Sequence, residues 1–139
     1  MAYPFIDTDV IIRFLTGDDP VKQQRAARLF EQVEQGNATL VAPDTVIADA
    51  VYVLSSPRLY NLPRREVAAL LIPLVRLSGF RVQNRRAVLA ALNLYGYGAT
   101  KLDFGDALIV ASMSQSGSQT VYSFDTGFDK IPGINRQEP

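Results

Sequence analysis

The chain has 139 residues, of which 47% are hydrophobic, and it carries 14 basic and 14 acidic residues. This length and composition are typical of one globular domain with a substantial core. The sequence contains no cysteine and no histidine, which excludes disulfides, thiolate zinc sites and a Ser-His-Asp triad. The chain opens with no signal-peptide pattern and has no apolar run of the roughly 20 residues that cross a bilayer, so we expect a cytoplasmic protein.

The predicted elements alternate between short apolar strands and helices. In chain order, the predicted strands are at 3–6, 39–42, 80–83 and 120–124. Two helices, at 9–15 and from Pro20 to Gly36, lie between the first and second strands. Two helices that begin at Asp44 and Pro63 lie between the second and third, and two more, at 85–95 and from Asp103 to Gly117, lie between the third and fourth. Residues 131–134 are a candidate fifth strand, and Pro73 is expected to kink or shorten its helix. The alternation predicts an α/β fold, with residues 1–139 as a single domain around a short parallel sheet of four to five strands.

Two aspartates follow predicted strands directly. Asp7 comes after the strand at 3–6, and Asp125 comes after the strand at 120–124. Parallel sheets place their ligands at the carboxyl ends of strands, so both side chains are candidates for a binding site. Each also has a purely local interpretation, since Asp7 can cap the next helix and Asp125 can form an Asx-turn.

Three further aspartates lie in otherwise apolar segments. Asp49 lies within VIADAVYVL, where it is either buried and in need of a partner or metal, or placed on an exposed strip. Asp103 and Asp106 lie in LDFGDALIVASM. Asp103 suits an N-cap, which leaves Asp106 in the first helical turn near the strand ends.

Convergence of Asp7, Asp49, Asp106 and Asp125 on one edge of the sheet would favour a bound cation. Carboxylates held close together repel and raise one another's pKa values. A hard divalent cation such as Mg²⁺ relieves that repulsion, prefers oxygen ligands and needs no histidine. Asp9 is a candidate for a supporting hydrogen bond in such a site.

Basic residues concentrate in the middle of the chain, where Glu66 is the only acid between Arg58 and Lys101. A basic strip beside an acidic site is compatible with a phosphate backbone as ligand. A solvated, arginine-rich helix surface explains the same pattern equally well.

Four segments of the chain, in order, resemble the PIN-domain ribonucleases, specifically the VapC-like toxins of prokaryotic toxin–antitoxin pairs. The segments are FIDTDVIIRFLTGDDP, APDTVIADAVYVL, YGATKLDFGDALIVASM and TVYSFDTGFDKIPGI. The resemblance covers nearly the whole chain and implies a PIN-like fold. It places the four acids of the family on Asp7, Asp49, Asp106 and Asp125, an extra acid on Asp103, and a small hydroxyl residue on Ser123. Asp49 stands where the family usually has Glu, and Asp9 where it often has Asn.

The resemblance implies an endoribonuclease that depends on Mg²⁺ or Mn²⁺. Asp7, Asp49, Asp106 and Asp125 would be catalytic, and these four with Asp103 would bind the metal. It also implies an RNA substrate, a homodimer and an antitoxin protein that blocks the cleft. Arg13 and the middle arginines would bind the RNA backbone, with Tyr52, Tyr60, Tyr95 and Tyr97 as candidates for base stacking.

Two alternatives remain open from the sequence. The shorter Asp49 side chain would reach a metal either directly or through a water molecule. It would weaken metal binding or shift the preference toward Mn²⁺. The first alternative is therefore a PIN-like module that binds RNA or a protein without cutting it. The Asp7-Thr8-Asp9 segment after a strand is also similar to the start of haloacid-dehalogenase-type phosphatases, although no matching later lysine motif follows.

Overall fold

Six α-helices carry most of the chain in the computed structural model, which describes residues 2–139. They are α1 (Thr8–Leu15), α2 (Pro20–Glu34), α3 (Asp44–Ser55), α4 (Arg64–Arg76), α5 (Arg85–Tyr97) and α6 (Phe104–Ser116). The strands are β1 (Leu40–Ala42), β2 (Phe80–Val82), β3 (Thr120–Tyr122) and β4 (Asn135–Gln137), and a 3₁₀ helix at Thr126–Lys130 lies between the last two. Over residues 2–139 the helices are too short or too polar to cross a bilayer.

Local capping explains where three of the helices begin. The Asp7 carboxylate accepts a hydrogen bond from the Thr8 backbone N–H (2.7 Å) and caps α1. Asp19 accepts from the Lys22 N–H (3.1 Å) and caps α2. Asp103 accepts from the Asp106 N–H (2.8 Å) and caps α6. Each bond satisfies a backbone donor that the first helical turn would otherwise leave unpaired.

The core is formed where α3, α4 and α5 pack around β1 and β2. Leu71 of α4 and Leu92 of α5 are fully buried, and each such side chain contributes about 1.5–3 kcal/mol relative to exposure. Gly96 allows helices α4 and α5 to approach closely, since a Cβ at this position would overlap the Cβ of Ala68. Helix α4 continues through Pro73 and ends at Arg76, short of the predicted end at Gly79.

The first strand pair places β1 at the centre of a small parallel sheet. β1 pairs with β2 in the register Leu40↔Phe80 and Ala42↔Val82. On its other edge, β1 bonds the segment at 4–6, where the Ile6 N–H donates to the Val41 carbonyl (3.1 Å). This segment ends at Asp7, so the first candidate acid lies at the carboxyl end of a sheet-bound chain.

The second strand pair, β3 with β4, is a separate parallel ribbon in the register Thr120↔Asn135 and Tyr122↔Gln137. In the part of the chain that is described, it shares no main-chain hydrogen bond with residues 4–6. Phe5 and Tyr122 are accordingly 70% and 66% exposed. We call residues 120–137 the C-terminal ribbon.

The α/β class and the short parallel strands confirm the predicted fold, but the strands form two pairs where the sequence predicts one sheet. The reason lies in β3, whose residues are exposed, half-buried and exposed in turn. Parallel strands normally gain stability because both of their faces are buried. In β3, neither face is fully buried. The predicted fifth strand at 131–134 is wrong: these residues form a turn, in which Gly133 has φ of 82°, and the strand that follows is Asn135–Gln137.

Candidate acidic site

A first acidic group lines a cavity of about 540 Å³ between the start of α1, the outer face of α3 and the loop after α3. Asp7 and Asp49 both line this cavity, together with Asp9. All three carboxylates are exposed. The rest of the lining is mixed, with apolar Ile12 and Val53 from the two helices and the basic side chain of Arg13. The cavity therefore combines three carboxylates with one guanidinium group and apolar surface.

Asp49 lies on the exposed side of α3. The helix buries Val46, Ile47 and Ala50 on its inner side, and this leaves Asp49 on the outer side with Tyr52, three residues on. Of the two sequence interpretations of Asp49, the exposed strip is correct. The charge therefore carries no large desolvation cost and remains accessible to a ligand.

A second acidic group consists of Asp103, Asp106 and Asp125. Asp125 follows β3 and caps the 3₁₀ helix by accepting from the Gly127 N–H (2.8 Å), while Ser123 Oγ accepts from the Asp125 N–H (2.9 Å). Burial raises the pKa of the Asp106 carboxyl, and the negative charges of Asp103 and Asp125 raise it further. The three carboxylates thus share one electrostatic neighbourhood that disfavours an additional negative charge.

The raised pKa of Asp106 has a consequence for stability. When the folded-state pKa lies above the unfolded one, folding is favoured by protonation, and that stability is lost as pH rises through the folded-state pKa. We therefore expect Asp106→Asn to raise the melting temperature at pH 7 in EDTA by about 1–3 °C. The gain should disappear near pH 3, where the carboxyl is protonated. Scanning calorimetry at both pH values measures the difference.

The control for this prediction is Asp9→Asn, which removes a carboxylate from the first turn of α1. A negative charge there interacts favourably with the helix dipole, so its removal should not raise the melting temperature. A lower melting temperature for Asp106→Asn at pH 7 would contradict the prediction.

The two acidic groups are not joined in this conformation. Across residues 2–139, no three acidic side chains are gathered closely enough to hold one metal ion. As far as the described residues go, neither Asp106 nor Asp125 lines the cavity of Asp7 and Asp49. The sequence analysis expected these four acids to meet at one edge of a single sheet. They fall into two groups because Asp106 lies in the first turn of α6 and Asp125 belongs to the C-terminal ribbon, which in the described chain shares no main-chain hydrogen bond with residues 4–6.

Among the described residues, the candidate acids form no ion pair. Within residues 2–139 the ion pairs join Arg13 to Asp18 (3.3 Å) and Arg136 to Asp129 (2.9 Å) and Glu138 (3.1 Å). None of these pairs includes a carboxylate of either acidic group. Exposed carboxylate oxygens without a protein counter-charge are the ligands that Mg²⁺ and Mn²⁺ take. The donor chemistry therefore fits a hard divalent cation, although the donors are not assembled.

Two arginines of the basic strip make hydrogen bonds within the protein. Arg64 stacks over the Tyr95 ring at 4.5 Å and donates hydrogen bonds to the carbonyl oxygens of Tyr95 (3.4 Å) and Leu102. Arg85 donates to the carbonyl oxygen of Leu77 (2.9 Å). Both guanidinium groups satisfy main-chain acceptors from other segments, so they are engaged within the protein.

A hydrogen-bond network that the sequence analysis missed holds one wall of the first cavity. The Tyr60 hydroxyl donates to Asp18 (2.7 Å), and Thr16 and Arg13 donate to the same carboxylate. The Tyr60 hydrogen bond is the largest cause of the lowered pKa of Asp18. The network ties the loop after α3 to the end of α1. No local sequence signal links Tyr60 to a carboxylate 42 residues earlier.

The short parallel strands and six helices define an α/β protein, and its candidate site is made of carboxylates in a chain that has no histidine. The PIN domain profile matches residues 5–134, and the chain belongs to the PIN domain family. It is also 26% identical over 126 residues to "VapC ribonuclease" of Aquifex aeolicus (strain VF5), across 91% of this chain and 90% of that protein. These matches confirm the family resemblance, and the phosphatase alternative receives no support from them.

Proposed function

We propose that this protein is a divalent-metal-dependent endoribonuclease and the toxin of a toxin–antitoxin pair. Membership of the PIN domain family and similarity to a protein named VapC ribonuclease support this function. The observation that carries the proposal is the second acidic group, in which burial raises the pKa of Asp106, the charges of Asp103 and Asp125 raise it further, and none of the three carboxylates belongs to an ion pair of the described residues. A cation would relieve that repulsion.

The proposed metal ligands are Asp7 and Asp49 from the first group and Asp103, Asp106 and Asp125 from the second. The proposal requires the two groups to approach each other. The C-terminal ribbon is suited to bring Asp125 nearer, because it makes no main-chain hydrogen bond to residues 4–6 in the described chain, whereas Asp103 and Asp106 would approach with the start of α6. Asp49, with its shorter side chain, would act directly or through a water molecule.

When bound, Mg²⁺ or Mn²⁺ would supply a Lewis acid and a water of lowered pKa for phosphodiester hydrolysis. The remaining tasks belong to the chain. Asp106 would accept a proton from the attacking water, since a protein without histidine leaves this task to carboxylates. Arg13, which lines the first cavity, and exposed basic residues of the middle of the chain such as Arg58 would bind the RNA backbone.

We propose further that residues 1–139 act as one PIN-like unit in the cytoplasm, as a homodimer, and that a cognate antitoxin protein covers the cleft. These proposals rest on family membership.

Removal of divalent metal tests the proposed chemistry. Purified protein incubated with single-stranded RNA should cut it in Mg²⁺ or Mn²⁺, should lose that activity in EDTA, and should regain it when excess Mn²⁺ is added. Fragment analysis on denaturing gels measures the cleavage. Cleavage that persists unchanged in EDTA would contradict a metal-dependent mechanism.

The Asp49→Glu variant belongs in the same assay, since Glu extends the carboxylate toward the metal by one methylene. A gain of cleavage in this variant would show that the native Asp49 limits activity. The matched control is Asp44→Glu, which makes the same change at the start of α3 outside the first cavity. Equal gains of cleavage in the two variants would show that the effect is not specific to Asp49.

Binding of RNA or a protein without cleavage is the second candidate function. It is favoured by the finding that no three carboxylates of residues 2–139 gather around one point. Titration calorimetry with Mn²⁺ distinguishes the two. Binding in the millimolar range or tighter favours the nuclease, whereas no detectable binding favours the inactive module.

A further inference from the structure

Tyr52 lies on the boundary between two cavities. It lines the cavity of Asp7 and Asp49 on one side, and on the other side it lines a second cavity of about 420 Å³ that includes Asp103. Its side chain is 71% exposed. The Tyr52 ring therefore lines both the cavity of Asp7 and Asp49, which belong to the first acidic group, and the cavity of Asp103, which belongs to the second.

Packing of α3 does not explain this tyrosine. The helix buries Val46, Ile47, Ala50, Val51 and Leu54 on its inner side, and Tyr52 projects from the outer side. A large aromatic side chain left in solvent costs hydrophobic burial that the fold could otherwise gain. Its ring is available to a ligand that enters either cavity.

The neighbourhood of Tyr52 suits a planar, neutral ring. On the side of the first cavity, Val53 and the 58% exposed side chain of Leu59 line the same cavity as Tyr52 and provide apolar surface for such a ring. Each of the two cavities has the size of a small-molecule site, whereas protein interfaces are usually larger and continuous. Adjacent small cavities with an aromatic ring between them match successive units of a single-stranded nucleic acid.

We propose that Tyr52 stacks against a nucleobase of single-stranded RNA and positions the chain between the two acidic groups. This inference rests on the proposed ribonuclease function and assigns a nucleotide-binding residue to it. Stacking against a base requires only an exposed aromatic face and tolerates any base sequence. The interaction places neutral bases beside the ring and leaves the phosphates for the metal and the basic residues.

The absence of tryptophan from the chain makes a direct test possible. In a Tyr52→Trp variant that also carries Asp7→Asn to suppress cleavage, the new indole is the single tryptophan. Titration with a short single-stranded oligoribonucleotide should quench its fluorescence, because a stacked base contacts the indole. An abasic oligomer of the same length and charge should produce much weaker quenching. Equal quenching by both oligomers would overturn base stacking.

Affinity measurements complete the test. In the Asp7→Asn background, Tyr52→Leu should weaken RNA binding about 5- to 150-fold, the range of one base–aromatic stack, and Tyr52→Phe should bind as the tyrosine does. The matched control is Tyr97→Leu, since Tyr97 is exposed but lines neither cavity. Equal losses in the Tyr52 and Tyr97 variants would overturn the assignment.

The outcomes separate this inference from the proposed cleavage. Base-dependent quenching, combined with no RNA cleavage by the unmodified protein in any metal, would support the stacking residue and reject the nuclease. Cleavage with no effect of Tyr52→Leu on RNA affinity would keep the nuclease and reject the stacking residue. Quenching by a basic peptide but not by RNA would identify a protein-binding surface and also reject it.

Discussion

Asp7→Asn should reduce the rate of RNA cleavage at least about 100-fold, since even outer-shell partners of a metal site are worth 10- to 100-fold. The substitution removes the negative charge that the proposed metal site needs from Asp7. It keeps a side-chain oxygen that can accept the Thr8 N–H, and Asn caps helices as well as Asp does. The initial rate on a fluorogenic RNA in Mn²⁺ measures the effect, and a melting curve verifies that α1 remains folded.

A matched control for Asp7→Asn is available at the next helix. Asp19 caps α2 in the same way, by accepting the Lys22 N–H, and lines neither acidic cavity. Asp19→Asn therefore repeats the chemical change at an N-cap outside the proposed centre, and cleavage should stay at the level of the unmodified protein. Retention of more than half the activity in Asp7→Asn would remove Asp7 from the proposed metal ligands.

Arg64→Ala should lower the free energy of unfolding by about 2–4 kcal/mol, because a half-buried charged donor and a cation–π contact are lost together. The Arg64 guanidinium bonds the carbonyl oxygens of Tyr95 and Leu102 and so ties the start of α4 to α5 and to the segment before α6. Arg64→Lys should recover little, since an ammonium cannot stack flat over the Tyr95 ring as the planar guanidinium does. Urea denaturation followed by circular dichroism measures the loss.

The neighbouring Arg65→Ala serves as the comparison for Arg64. Arg65 is exposed and lies 5.2 Å from the centre of the Tyr97 ring, a contact worth about 0.5–1 kcal/mol at an exposed site. Full stability in Arg64→Lys would show that charge alone suffices and would contradict the geometric explanation. Because Leu102 precedes the Asp103 cap of α6, cleavage should fall with stability in the Arg64 variants.

The helix boundaries were the most predictable part of the fold. Asp19-Pro20 marks the start of α2, Asp103 marks the start of α6, and Gly117 ends α6 in a left-handed conformation with φ of 78°. Each signal acts within three or four residues, so its effect does not depend on the rest of the fold. The aspartates that follow strands were found for the same reason.

Associations across the chain were less predictable. The sequence left both burial and exposure open for Asp49, because the direction in which α3 packs depends on distant partners. The acceptors of Arg64 are main-chain carbonyls, which carry no sequence signal. The residues of β3, Thr-Val-Tyr, suit a strand wherever it pairs, so the sequence predicted the strand but not its separation from residues 4–6.

The C-terminal ribbon has a further consequence for dynamics in solution. Its strands are three residues long, their outer residues are exposed, and Phe128 is its buried aromatic anchor. Segments with little buried apolar surface open at a low free energy, and their amide protons exchange with solvent soonest. Amides of Thr120–Tyr122 should therefore exchange well before those around Leu71 and Leu92. Asp125 would thus lie on the fastest-opening segment, and the proposed centre could form and separate without global unfolding.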